Sequence, residues 1–240
     1  MGRGSGVVLR RRGYDEGMEI DHIFMFVEPD GPELAALQQL GLRETYRRQH
    51  PGQGTANACF AFDNLFVELL WVTDEAELRS PVVQRTRLWE RSQWRTLGTC
   101  PFGLAFRGEL AALGVSTWTY RPPYLAGVLP PDAGIAVATD SDDPMQPMLF
   151  AFPGSTAPRH WPASRQGQLQ RAAGWGDVSA VSFCASTAWE PCHALRVLAD
   201  ATGLALNRGD GERFQMSAAL NPRSSGQEAG RLNLPVLRVG

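Results

Sequence analysis

Apolar and polar positions change their period along the chain, and each change marks an element. Residues 20–27 are almost unbroken apolar and aromatic, which predicts a buried strand. Pro29-Asp30-Gly31-Pro32 opens a helix over 33–40. Leu34, Leu37 and Leu40 recur there at the spacing of one buried side, and Gly41 ends it, where a residue free to take positive φ is favoured. A second strand is expected over 42–48, a loop over 50–54, and a third strand over 55–62. The tight turn Asp63-Asn64 leads into a fourth strand over 65–72. The order is β-α-β-β-β.

Residues 73–96 form a charged connector with a helix expected over 81–94, docked by Val82, Leu88 and Trp89. Strand character resumes over 102–107, 116–120, 134–139 and 148–152, with little helix between. A stretch rich in Gly, Pro, Ser and Arg follows over 153–176. A strand over 178–184, a helix over 190–202 ended by Gly203, and strands over 204–206, 213–220 and 232–239 return the β-α-β-β-β order. The expected organisation is a disordered leader (1–18), a first βαβββ unit (19–73) and a helical connector (74–100). A second, degenerate unit without a clear helix (101–153), a linker or lid (154–176) and a third βαβββ-like unit (177–240) complete it. The fold class is α+β, with repeated units forming open, cavity-enclosing mixed sheets.

Composition removes whole classes of chemistry. The 240 residues carry a formal charge of −2, so no global field favours a phosphate backbone, and no nucleic-acid partner is expected. No apolar run approaches the ~20 residues that span a bilayer. All 23 basic residues are arginine, which removes lysine Schiff bases, pyridoxal-phosphate aldimines and Walker-type phosphate lysines. Cys59, Cys100, Cys184 and Cys192 show neither a CxxC pair nor zinc-finger spacing and read as reduced thiols of a cytoplasmic protein. The Arg-rich leader lacks the apolar core of a secretory signal.

Three stretches carry a family resemblance: Asp21-His22-Ile23-Phe24-Met25-Phe26-Val27, His50-Pro51-Gly52-Gln53-Gly54-Thr55-Ala56-Asn57, and Asn64-Leu65-Phe66-Val67-Glu68-Leu69-Leu70-Trp71. They resemble the vicinal oxygen chelate superfamily (the glyoxalase, bleomycin-resistance and extradiol-dioxygenase fold group), in its glyoxalase-like branch. The resemblance implies that metal ligands occupy the middle of the first and fourth strands of a unit, here His22 and Glu68. It also implies that a second unit supplies further ligands. The matching positions are Gly103 and Leu149 or Phe150 in the middle unit, and Ala180 and Pro235 in the last, none of which binds a metal through its side chain.

Alternation along a strand places His22 beside Ile20, Phe24 and Phe26, and Glu68 beside Phe66, Leu70 and Val72. A carboxylate among such neighbours needs a partner. Three arrangements satisfy it. His22 and Glu68 can hold a divalent ion (Zn, Mn, Fe or Ni), completed by water, substrate or a third residue such as His50 or His160. Glu68 can serve as a metal-free general base. The pair can also simply hydrogen-bond to each other.

His50, Thr55 and Asn57 are candidate substrate-binding groups around a glycine turn, or parts of an ordinary hairpin. Arg47 or Arg48 is a solvated edge charge, or neutralises a carboxylate substrate at the mouth. His193 reads as a surface residue, Asp140-Ser141-Asp142-Asp143 as a polar turn, and the tryptophans as core or pocket lining. Nucleophile-elbow, dinucleotide-loop and zincin motifs are absent. The leading expectation is therefore a glyoxalase-like enzyme. It would perform divalent-metal-assisted lyase, isomerase or dioxygenase chemistry on a small oxygen-rich molecule through His22 and Glu68. Metal-free acid–base catalysis, or non-catalytic sequestration of a small molecule, stands as the alternative, and homodimerisation remains open.

Overall fold

The computed structural model describes residues 17–130, 132–166, 169–209, 211, 214–224 and 228–235. The leader, apart from its last two residues, and the end of the final expected strand lie outside the described residues. β1 (Glu19–Phe26), α1 (Pro32–Gln39), β2 (Tyr46–His50), β3 (Thr55–Ala61) and β4 (Phe66–Val72) form the first unit. β2 begins four residues later than its pattern suggested, because residues 42–45 follow the helix as irregular chain with Leu42 buried.

The connector differs more. A single helix over 81–94 is replaced by three short ones, α2 (Glu75–Leu78), α3 (Leu88–Ser92) and α4 (Trp94–Leu97). Pro81 falls in the turn between α2 and α3, and Arg87 adopts a left-handed conformation at φ 57°, which interrupts any continuous helix. Val82, expected to dock the connector, is exposed; Val83 and Leu88 are buried instead. Trp94 Nε1 donates to the Phe26 carbonyl at 2.9 Å and ties the connector to the end of β1.

β5 (Phe102–Arg107), β6 (Thr117–Tyr120), β7 (Ile135–Ala138) and β8 (Met148–Ala151) follow, with a single 3₁₀ turn at Leu110–Leu113 where the first unit has α1. The eight strands form one sheet in the order β2-β3-β4-β1-β5-β8-β7-β6. In each half the first strand pairs in parallel with the last, β1 with β4 and β5 with β8. The halves meet along the antiparallel β1–β5 seam. This is the α+β, mixed-sheet architecture expected from the sequence pattern.

After α5 (Ala163–Gln166) come β9 (Trp175–Ser186), α6 (His193–Thr202), β10 (Ala205–Gly209), β11 (Gln215–Pro222) and β12 (Gly230–Leu234). Their element order repeats the first unit, but their pairing does not. β9 lies between β10, to which it is parallel, and antiparallel β11, giving the order β10-β9-β11-β12. α6 buries Ala194, Leu195, Leu198 and Ala199 at helical spacing, and Gly203 ends it at φ 74°. Phe183 of β9 meets Phe102 of β5 edge-on, with ring centroids 6.0 Å apart, so this smaller sheet shares one apolar core with the larger. Each fully buried phenylalanine there, Phe26, Phe60, Phe102 and Phe106 among them, contributes about 1.5–3 kcal/mol by leaving water.

Candidate active site

A cavity of about 210 Å³ opens on one face of the large sheet. Its lining comes from the first unit, the second unit and the 153–161 segment together.

His22 and Glu68 both line it, from adjacent parallel strands, with His22 Nε2 3.7 Å from Glu68 Oε2. That separation suits an ion pair but exceeds a hydrogen bond, so both atoms keep capacity for a third partner. Asn57 Nδ2 donates to Glu68 Oε1 at 2.5 Å and fixes the carboxylate, turning Oε2 toward His22.

On its other side, His22 Nδ1 lies 2.7 Å from Asp21 Oδ2. Two consecutive residues reach the same cavity because the β1–β5 register shifts between Ile20 and His22, a bulge that re-aims Asp21. Burial opposes the Asp21 charge, but His22, the Ser155 hydroxyl and Arg107 outweigh it and hold the carboxyl below its usual 3.8. Arg107 Nη1 donates to Asp21 Oδ1 at 2.8 Å, and Ser155 Oγ donates to the same oxygen. An ionised Asp21 can only accept, so a neutral His22 ring carries its proton on Nδ1 and turns the Nε2 lone pair toward Glu68.

The polar chain continues past Asn57, whose Nδ2 is 3.5 Å from His50 Nε2. His50 Nδ1 contacts Thr55 Oγ1 at 2.9 Å, Gln53 Nε2 donates to Thr55 Oγ1 at 2.8 Å, and Tyr120 OH donates to Gln53 Oε1 at 2.9 Å. Burial pushes His50 below its ordinary 6.5, with Arg48 adding to the effect and Glu68 opposing it. The turn that carries these groups needs its glycine: a Cβ on Gly54, at φ 76°, would meet the Asp74 carbonyl oxygen at 2.1 Å. Asn57 Oδ1 is buried without a hydrogen-bond partner among the described residues.

Of the residues singled out from the sequence, His22, Glu68, His50 and Asn57 line one cavity. Thr55 stands behind His50 as a support rather than a lining residue. Arg47 departs from expectation: its guanidinium pairs with Glu44 at 3.1 Å and Asp30 at 3.2 Å, away from the cavity. Arg48 lines the cavity in its place, because Tyr46, Arg48 and His50 share one face of β2 and Arg47 the other. His160 is exposed and does not join the site, whereas its neighbour Trp161 packs against Phe66, 5.6 Å between ring centroids, and closes one wall.

Sequence reasoning missed Asp21, Tyr124 and Ser155. The bulge and the return of the 153–161 segment depend on pairings that no local pattern announces. The opposite wall is apolar. Phe150 meets the His22 ring edge-on at 5.4 Å, and Phe24 fills the space above Gly103, where an added Cβ would lie 2.1 Å from its ring.

The donor set for a metal is therefore incomplete. His22 Nε2 and Glu68 Oε2 supply two atoms, and the described residues contain no cluster of three or more His, Cys, Asp or Glu that could hold an ion. Catalytic zinc sites commonly use three protein ligands. Gly103 and Phe150, which stand opposite the pair, supply none.

Residues 20–122 match the family model described as a glyoxalase-like domain. That stretch of the chain is similar to a glyoxalase-like domain. Among solved structures, a variant of Streptomyces coelicolor methylmalonyl-CoA epimerase in complex with 2-nitronate-propionyl-CoA is 15% identical, covering 56% of this chain and 96% of its own, with a TM-score of 0.37. A variant of 4-hydroxymandelate synthase from Streptomyces coelicolor is 12% identical, covering 90% of this chain and 62% of its own, with a TM-score of 0.41. A hypothetical protein from Staphylococcus aureus is 12% identical, covering 70% of this chain and 69% of its own, with a TM-score of 0.37. No curated protein matches the chain. No helix among the described residues is long and apolar enough to cross a membrane.

Proposed function

We propose that this protein is an enzyme that moves a proton on a small oxygen-bearing molecule, an isomerase or lyase, with Glu68 as general base and His22 as its partner. One observation carries the reading: Glu68 Oε1 is held by Asn57 while Oε2 faces His22 Nε2 across 3.7 Å, inside a cavity of ligand size. Glu68 Oε2 takes a proton from a carbon next to a carbonyl, and the electron pair moves onto the carbonyl oxygen. The proton then returns through His22 Nε2 to a neighbouring atom, or remains on the pair while a β-substituent leaves. Asp21 keeps the His22 ring oriented throughout. The second-unit side chains Ile135, Met148 and Phe150 supply an apolar wall that strengthens each polar contact.

A second reading is favoured by the Asp21–His22 contact, since ligand histidines commonly give their other ring N–H to a carboxylate. In it His22 and Glu68 would hold a divalent ion, which would supply Lewis-acid polarisation of substrate oxygens. Metal analysis of protein purified without chelators, wild type beside His22→Ala and Glu68→Ala, tests it. Near one equivalent lost in both variants supports the ion; metal retained in either variant contradicts it.

The acid–base reading is tested by ¹H NMR in D₂O on a panel of small ketones, hydroxy acids and oxo acids. Wild-type protein washes deuterium into at least one compound, and Glu68→Gln slows that wash-in by about 10²-fold or more. Equal rates in the two proteins contradict it.

A further inference from the structure

Arg48 and Tyr124 are unspent groups at this cavity. Arg48 projects from the exposed second strand with its guanidinium over the Tyr124 ring, 5.2 Å from the centroid. Its guanidinium makes no hydrogen bond or ion pair with any described residue. Its neighbour Arg47, on the opposite face, is fully engaged with Glu44 and Asp30. Arg107, the other arginine near the site, is bound to Asp21, Glu19 and two backbone carbonyls. Arg48 is therefore the cation among the described lining residues that no carboxylate neutralises.

Tyr124 reaches the cavity from the second unit, on the 3₁₀ turn Pro123–Leu125, and its ring lies 4.4 Å from the His50 ring. Its hydroxyl has no hydrogen-bond partner among the described residues. The turn is seated firmly, since Pro123 packs so closely over Gly52 that a Cβ there would come within 2.5 Å. Burial and the Glu68 carboxylate push the Tyr124 hydroxyl up, against a smaller opposing pull from Arg48, so it stays a proton donor.

The register places Arg48 opposite Asn57 and Asn57 opposite Leu70, so Arg48 stands two strands from β4, which carries Glu68. Asn57, which donates to Glu68, therefore stands on the strand between Arg48 and the strand of the reacting carboxylate. Planar guanidinium stacked on an aromatic ring keeps its N–H edge free for two parallel bonds to a carboxylate.

We propose that the substrate of this cavity is a small carboxylate, whose anionic end is bound by the Arg48 guanidinium and the Tyr124 hydroxyl while its other end meets His22 and Glu68. This rests on the acid–base reading of the same cavity and names the substrate class it serves. Arg48 is the specificity-determining residue. Arg47, its sequence neighbour, takes no part.

Isothermal titration of acetate, benzoate and phenylacetate, each beside its amide, tests the assignment. At least one carboxylate binds wild-type protein about tenfold more tightly than its amide, the scale of a charge-assisted bond. Arg48→Gln abolishes that preference, and Tyr124→Phe reduces it. Arg47→Gln and Glu68→Gln both retain it, so the anion site is read independently of catalysis. Three results overturn the proposal: no carboxylate binding better than its amide, a preference that survives Arg48→Gln, or an equal loss in Arg47→Gln that traces it to surface charge. If Glu68→Gln leaves deuterium wash-in unchanged while the Arg48 preference stands, the acid–base reading fails and the anion site does not.

Discussion

The two halves of the eight-stranded sheet line one cavity with different chemistry. The first unit contributes Asp21, His22, Arg48, His50, Gln53, Asn57 and Glu68, and the second contributes Ile135, Met148 and Phe150, with Tyr120 and Tyr124 as its polar groups. The backbone plan is shared, since β1 with β4 and β5 with β8 are both parallel pairs. What differs is the side chain at matched places. In the first half Phe24 pairs with Glu68, and in the second Ala105 pairs with Phe150. A repeated scaffold thus needs only its apolar alternation to be preserved, while polar residues able to do chemistry are required on one side alone. The apolar half still matters, because a low-dielectric wall strengthens the charges opposite it.

Several changes break or sharpen this contrast. The largest effect is expected on the polar side. His22→Ala removes the partner of Glu68 and lowers turnover by about 10²-fold or more, read as deuterium wash-in. Asp21→Asn leaves the ring in place but no longer dictates its tautomer, and a loss of about tenfold or more is expected in the same assay. Preserved turnover in Asp21→Asn would show that the buried Asp21–His22 contact only satisfies two polar groups.

Across the seam, Gly103→Ala forces a Cβ against the Phe24 ring and costs about 1–3 kcal/mol of stability, visible as a lower urea midpoint. It also drives Phe24 toward the cavity, so ligand affinity falls while the polar network stays intact. An unchanged midpoint would mean that the two halves pack more loosely than these contacts indicate.

The smallest effect is on acid stability. His50 lies below its usual 6.5 when folded, so between that value and its folded one the unfolded chain binds more protons. Stability is therefore complete above pH ~6.5 and falls as the pH drops through this window. Asp21, depressed below 3.8, adds a further loss at lower pH. Urea midpoints from pH 7 to 5 show a shallower slope in His50→Asn; identical slopes would remove His50 from this explanation.

Much of the first unit was legible because its periods are clean. The apolar run 20–27 and the apolar stretch around Glu68 each read as a strand, and the two became neighbours in one sheet. Arg48 was legible in part: once His50 faces inward, alternation along β2 turns Arg48 with it and Arg47 away. Other features were hidden for physical reasons. The bulge at Asp21 arises from pairing with β5, about eighty residues later in the chain. Ser155 meets Asp21 only because the segment after β8 folds back over the site. The connector misled because Leu88 and Trp89 suggest a continuous helix, while the left-handed Arg87 divides it. In the smaller sheet the element order was readable, but the choice of partner for β9 depends on packing against Phe102 and on no local signal.

The most direct measurement sets the two walls against each other. Deuterium wash-in is compared in wild type, Glu68→Gln and Phe150→Leu, each checked for folding by near-ultraviolet circular dichroism. A loss of about 10²-fold or more is expected for Glu68→Gln and less than about tenfold for Phe150→Leu. Comparable losses in the two variants, or full activity in Glu68→Gln, would contradict the assignment of the chemistry to the first unit.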